Sequence, residues 1–254
     1  MSIWEVLAIV LAGMAAGTIN TIVGSGTLIT FPTLLFFGYP PVSANISNSL
    51  GLVAGGITGA WGYRTEMTGL GSMVRRLAPA SFLGSVSGAL LLLWLPPEAF
   101  ETIVPVLIGL SLLLVVFGPR LNRWAASRHA DHVSAGRRVA LLLGILVAGA
   151  YGGYFGAAQG VLLVGLMSVL LPIQLQAING IKNVLGLIVN FTAAMVFVVV
   201  DPVQVNWTIV GLIAAGSLVG GVVGARVGRA LAPWLLRTVI VVVGTVAIVV
   251  LLAG

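Results

Sequence analysis

Apolar stretches follow one another along the chain with little between them, at roughly 3–23, 26–38, 42–62, 77–95, 99–118, 139–157, 160–173, 175–200, 207–225 and 235–252. Most reach the roughly 20 residues a helix needs to cross the hydrocarbon core of a bilayer. In lipid every backbone N–H and C=O must be satisfied within the fold, which leaves helices or closed barrels, and runs of this length belong to helices. The pattern predicts an all-α polytopic membrane protein with about ten apolar segments. Two segments, 26–38 and 160–173, are shorter, and Gly24, Gly26 and Pro32 surround one, Gly156, Gly160 and Pro172 the other. Thirteen or fourteen helical residues cover only about 20 Å. Both are therefore expected to be broken or re-entrant helices.

Composition agrees with the pattern. Hydrophobic residues make up 59% and charged residues 7%, against about 25% charged in an ordinary soluble domain. A soluble enzyme, a nucleic-acid binder and a disordered chain are excluded on that ground. The net charge of +6 comes from only 12 basic residues in short clusters, which make no phosphate-tracking stripe but suit loops beside a bilayer. No Lys or Arg precedes the first apolar run, and Glu5 sits where a signal peptide would be basic, so residues 1–23 are expected to stay in the fold. The absence of cysteine removes disulfides, thiolate metal sites and a cysteine nucleophile.

The longest polar stretch, 119–138, holds five arginines with His129, Asp131 and His132. It is expected to be a cytoplasmic linker between a first repeat, 1–118, and a second, 139–254. The halves look related. Residues 46–52, ISNSLGL, meet 181–187, IKNVLGL, at a shift of 135, and 81–102 match a set including Ser217, Gly220, Gly224 and Pro233 at a shift of 136. Charge changes sign between equivalent loops. The 63–76 loop is net basic and its counterpart near 200–206 holds only Asp201, while Glu98 and Glu101 correspond to a region with Arg226, Arg229 and Arg237. Under the positive-inside rule the repeats are then inverted, with both termini outside.

Inverted repeats with broken helices are the architecture of secondary transporters, whose sites lie between the breaks. The breaks fall at Gly24, Ser25, Gly26 and Thr27 and at Gly156 to Gly160. A helix restarting there is expected to aim free N–H groups and its positive end into a cavity, which suits an anion. Lys182 is the only lysine and has no acidic residue within helical reach. A charge at that depth needs water or a partner, either by snorkelling or by facing a cavity. Asn179, Lys182, Asn183, Gly186 and Asn190 share one helical face, and Asn45, Asn48, Ser49 and Gly51 form a smaller cluster. Asn20 and Gln159 stand beside the breaks. For the asparagines interhelical hydrogen bonding is the plainer alternative, and for Gly84, Gly88, Gly220 and Gly224 close helix packing is favoured. His129 and His132 read as a solvated loop rather than a metal site. No catalytic motif is present, so no enzyme, cofactor or metal is expected.

The run from Gly17 to Gly26, then Pro32, the Gly38-Tyr39-Pro40-Pro41 turn and Ala44 through Leu50 resembles the opening of the TauE/SafE sulfite-exporter family. The Tyr63-Arg64 ending, the Gly84 and Gly88 segment and the second copy from Gly152 are similar too. The resemblance implies a bacterial inner-membrane permease for small sulfur-containing anions such as sulfite, sulfonates or sulfoacetate. By position it implies a substrate site at Gly24, Ser25 and Gly26, at Asn48 and Ser49, and at Gln159, Gly160, Lys182 and Asn183. Where the family runs several glycines together, this chain has Ser25. The expected partners are a small anion and the lipid bilayer, with no nucleic acid and with a homodimer left open. A membrane scaffold that packs a partner subunit is the reading from a different class.

Overall fold

The computed structural model describes residues 1–126 and 135–227, with positions 238, 240–243 and 245. Residues 1–126 and 135–227 form nine α-helices and one 3₁₀ turn joined by short turns, and no strand occurs among the described residues. In chain order the helices are α1 (Ile3–Ile22), α2 (Thr27–Phe36), α3 (Pro41–Gly62), α4 (Gly71–Trp94), α5 (Pro97–Ala126), α6 (Ala135–Tyr154), α7 (Gln159–Leu170), α8 (Leu175–Val200) and α9 (Trp207–Val227). Five of them, α1, α4, the 97–118 part of α5, α8 and α9, are long and apolar enough to cross a membrane. The 22-residue α3 matches them in length but carries Asn45, Ser47, Asn48 and Ser49. Much of the polar stretch expected as a linker is helical, because α5 runs to Ala126 and α6 begins at Ala135. His129, Asp131 and His132 lie outside the described residues, as does most of the last apolar segment.

Direction follows from which residues meet. The backbone of α1 at Gly13 and Gly17 lies against Ile213 and Ser217 of α9. The Ser217 hydroxyl donates to Gly51 O of α3 at 2.8 Å and accepts from Gly55 N at 3.1 Å. Sequence numbers rise together in each pair, so α1, α3 and α9 are parallel. On the other side Gly84 and Gly88 of α4 lie against Leu146 and Ala150 of α6, and the Ser85 hydroxyl donates to Val189 O of α8 at 2.8 Å. These three are also parallel to one another. The start of α8, at Gly180, sits beside Tyr63 and Met67 at the end of α3, so the two groups run in opposite directions. Small residues let the backbones approach this closely, the usual device where no solvent drives helices together. Gly84, Gly88, Gly220 and Gly224 all serve it, since a Cβ at each would strike a neighbouring backbone.

The packing groups therefore interleave the two halves of the sequence. The fourth helix of the first half packs with α6 and α8, and the fourth of the second half packs with α1 and α3. The short helices turn back. Tyr39, after α2, donates to Glu5 Oε1 near the start of α1 at 2.6 Å, so α1 and α2 form a hairpin that enters and leaves at one end of the bundle. Apolar side chains such as Trp4, Leu7, Phe82, Trp94, Phe191 and Trp207 stay exposed around the outside, as a lipid-facing surface requires.

Candidate functional site

The two breaks close in the same way. At the end of α1 the N–H groups of Val23 and Gly24 both reach Ile19 O, at 2.7 and 3.1 Å, with Gly24 at φ +87°. At the end of α6 the N–H groups of Phe155 and Gly156 both reach Tyr151 O, at 3.0 and 3.1 Å, with Gly156 at φ +79°. Glycine accepts this left-handed conformation at no steric cost. A helix end leaves its last carbonyls without intrahelical partners, and in each case the opposite half of the chain supplies one. Lys182 Nζ donates to Asn20 O at 3.2 Å and Thr21 O at 2.9 Å, and Asn183 Nδ2 adds a bond to Thr21 O at 3.2 Å. Asn45 Nδ2, on α3, donates to Tyr154 O at 2.9 Å. An ammonium at the negative end of α1 is also favoured by the helix dipole.

The hairpin tips meet. Gly160 N donates to Gly24 O at 3.0 Å, and the two α-carbons are in van der Waals contact, so a Cβ on either would collide with the other. The Lys182 side chain passes beside Gly160. Between the tips lies a small cavity lined by Asn20, Gly24, Thr27, Leu52, Gly156, Gln159, Gly160, Lys182, Asn183, Gly186 and Asn190. Its free space, about 20 Å³ for the centre of a water-sized sphere, is that of about one water molecule. Lys182 is 2% exposed and Gln159 5% exposed, and Gln159 Nε2 has no hydrogen-bond partner.

Seven of the eleven residues singled out from the sequence line this cavity: Asn20, Gly24, Thr27, Gln159, Gly160, Lys182 and Asn183. Four stand apart. Asn48 joins α3 to α2, donating from Nδ2 to Thr27 Oγ1 at 3.2 Å and accepting a short bond from the Thr30 hydroxyl. The Ser49 hydroxyl donates to Asn45 O in its own helix at 2.9 Å. Ser25 is buried with its hydroxyl unpartnered, and Gly26 packs against Ala16. Leu52 was not singled out, because nothing distinguishes one apolar residue in a helix from its neighbours.

The expectation of free N–H groups at the restarted helices fails for α7 and for most of the first turn of α2. In α7 the first four are taken: Gln159 N by Gly156 O, Gly160 N by Gly24 O, and Val161 N and Leu162 N by Ala158 O. In α2, Leu28 N bonds Ser25 O and Ile29 N bonds Gly26 O. Tight backbone turns, and Gly24 O from the opposite hairpin, satisfy these donors. The positive ends of both helices remain near the cavity, but the donors that face it are side chains, with Lys182 and Gln159 foremost.

The model of the family described as sulfite exporter TauE/SafE matches residues 9–251. The chain belongs to the TauE/SafE family. Among curated TauE/SafE-like relatives, the probable membrane transporter protein YfcA of Escherichia coli K12 is 29% identical over 237 residues, 92% of this chain and 84% of the relative. A probable membrane transporter protein of Haemophilus influenzae is 28% identical over 242 residues, 94% and 91% of the two chains. A third, ORF9 of a Sinorhizobium species, is 27% identical over 252 residues, covering 95% and 90%. No solved structure matches the chain. This TauE/SafE member is a multi-pass membrane protein of a transporter family.

Proposed function

We propose that the protein is an alternating-access permease of the bacterial inner membrane for small sulfur-containing anions, of the class of sulfite and sulfonates. The observation that carries this reading is Lys182: a buried lysine at a cavity between two helix breaks, with no carboxylate lining that cavity. A lone buried cation of this kind is costly unless it meets an anion or strong acceptors. The carbonyls of Asn20 and Thr21 hold two of its protons and leave the third for a bound oxyanion. Gln159 Nε2 and the amides of Asn20, Asn183 and Asn190 add neutral donors. The parting of the two hairpins at Gly24 and Gly160 would open the cavity to either side in turn.

Charge supports an orientation. One end of the bundle carries Glu5, Glu98, Glu101 and Asp201, with no Lys or Arg among the described residues there. The other carries Arg64, Arg75, Arg76, Arg137, Arg138 and Arg226, with Glu66. Arg64 also stacks over Trp61, 4.0 Å from its ring centroid. The basic end belongs to the cytoplasm, which puts the N-terminus outside; the C-terminus lies outside the described residues. The inverted repeats read from the sequence fit this reading, because the antiparallel groups α1, α3, α9 and α6, α8, α4 exchange when the halves are exchanged. The test is flux of labelled sulfite and methanesulfonate into proteoliposomes containing the purified protein. Flux above protein-free vesicles is expected, and none for any sulfur oxyanion or sulfonate would refute the substrate class.

A further inference from the structure

The cavity carries a charge limit. Of its eleven lining residues, Lys182 alone is ionisable. Tyr151 and Tyr154, at the end of α6, do not line it, and no Asp or Glu does. Every other group that reaches it is a neutral donor or acceptor. The first backbone N–H groups of α7 are bonded to carbonyls: Gly160 N to Gly24 O at 3.0 Å, and Gln159 N, Val161 N and Leu162 N to carbonyls of their own turn. Lys182 itself already gives two protons to the carbonyl end of α1, at 3.2 and 2.9 Å. That end is the negative pole of a helix, opposed by the positive ends of α2 and α7, so the ammonium is the one full charge the cavity lining supplies.

We infer that the site accepts monoanions and rejects dianions of the same size. This rests on the anion-permease reading above and sharpens it. A monoanion beside Lys182 leaves the occupied cavity neutral. Once the hairpins part far enough to admit a ligand, a dianion still leaves one uncompensated negative charge among these neutral groups, and solvation by protein amides does not replace a counter-ion at such depth. Gln159 contributes to binding without changing this balance. Its Nε2, buried and unpartnered, can donate to one anion oxygen but brings no charge. The expected ligands are therefore simple sulfonates and hydrogensulfite, and the excluded ones are sulfate, the sulfite dianion and sulfoacetate, in which a carboxylate adds a second charge.

Methanesulfonate and sulfate make the cleanest pair, because both are tetrahedral at sulfur, similar in size and fixed in charge near neutral pH. Wild-type protein in proteoliposomes is loaded with unlabelled methanesulfonate, and counterflow of labelled methanesulfonate is followed with sulfate, sulfoacetate or methanesulfonate as competitor outside. Methanesulfonate is expected to compete at least about tenfold better than either dianion, the discrimination that one unpaired buried charge readily supplies. Sulfate or sulfoacetate competing as well as methanesulfonate would overturn the charge limit while leaving the permease reading intact. If no labelled methanesulfonate enters but labelled sulfate or sulfoacetate does, the charge limit is overturned in the same way. If none of the three anions moves, the permease reading falls and the charge limit falls with it.

Discussion

Lys182 Nζ, on α8, donates at 2.9 Å to the carbonyl of Thr21, in the last turn of α1. The second half of the chain thus closes the helix end of the first. Asn45 on α3 returns the service at 2.9 Å to Tyr154 at the end of α6. The two contacts differ in one respect that matters for function: only one of them brings a charge.

Replacing Asn45 by Ala removes the donor to Tyr154 O and leaves a buried carbonyl without its partner. Such a loss costs about 1–3 kcal/mol. Thermal unfolding in detergent should show a lower midpoint for Asn45→Ala, with the protein still eluting as a single species. An unchanged midpoint would mean that the break at α6 does not depend on α3.

The glycines at the crossing point divide by environment. Gly160→Ala would drive a Cβ into Gly24 and to 3.0 Å from Lys182 Cδ, and Gly24→Ala would add an unfavourable left-handed alanine to a collision with Gly160. Gly38 has the same kind of backbone, φ +81°, but open space around it, so Gly38→Ala carries only the conformational cost of about 1–2 kcal/mol. Monodisperse yield after detergent extraction, with flux, should fall sharply for the first two and little for the third. Wild-type yield and flux from Gly160→Ala would contradict a tight crossing of the hairpins.

Part of this was legible in the chain and part was not. The two short segments flanked by Gly and Pro announced their breaks, and Lys182 stood out because a lone charge in an apolar run is costly wherever it lies. Periodicity is a local signal, however, and says nothing about which helix a face meets. The interleaving of α4 with α6 and of α9 with α1 rests on Gly13, Gly17, Gly84 and Gly88, whose spacing shows a close approach but not its partner. The same limit explains Asn48, whose side chain links α2 to α3 instead of facing the cavity. It also explains the N–H groups of α7, which tight turns and Gly24 O consume.

The proposed orientation is testable against a clean background, since the chain has no cysteine. Val203, 91% exposed in the turn before α9, lies at the acidic end, and Thr65, also exposed, lies at the basic end. In intact cells a membrane-impermeant maleimide should label Val203→Cys, and it should label Thr65→Cys only after permeabilisation. The reverse pattern would invert the assignment.

The most direct measurement is methanesulfonate flux in proteoliposomes for wild type, Lys182→Met and Lys182→Arg, each checked for a single elution peak. Lys182→Met keeps bulk but removes the charge, and flux should fall at least about tenfold, equivalent to about 1.4 kcal/mol or more. Lys182→Arg keeps the charge and should retain part of the activity. A folded Lys182→Met protein that moves methanesulfonate at the wild-type rate would contradict the account at its centre.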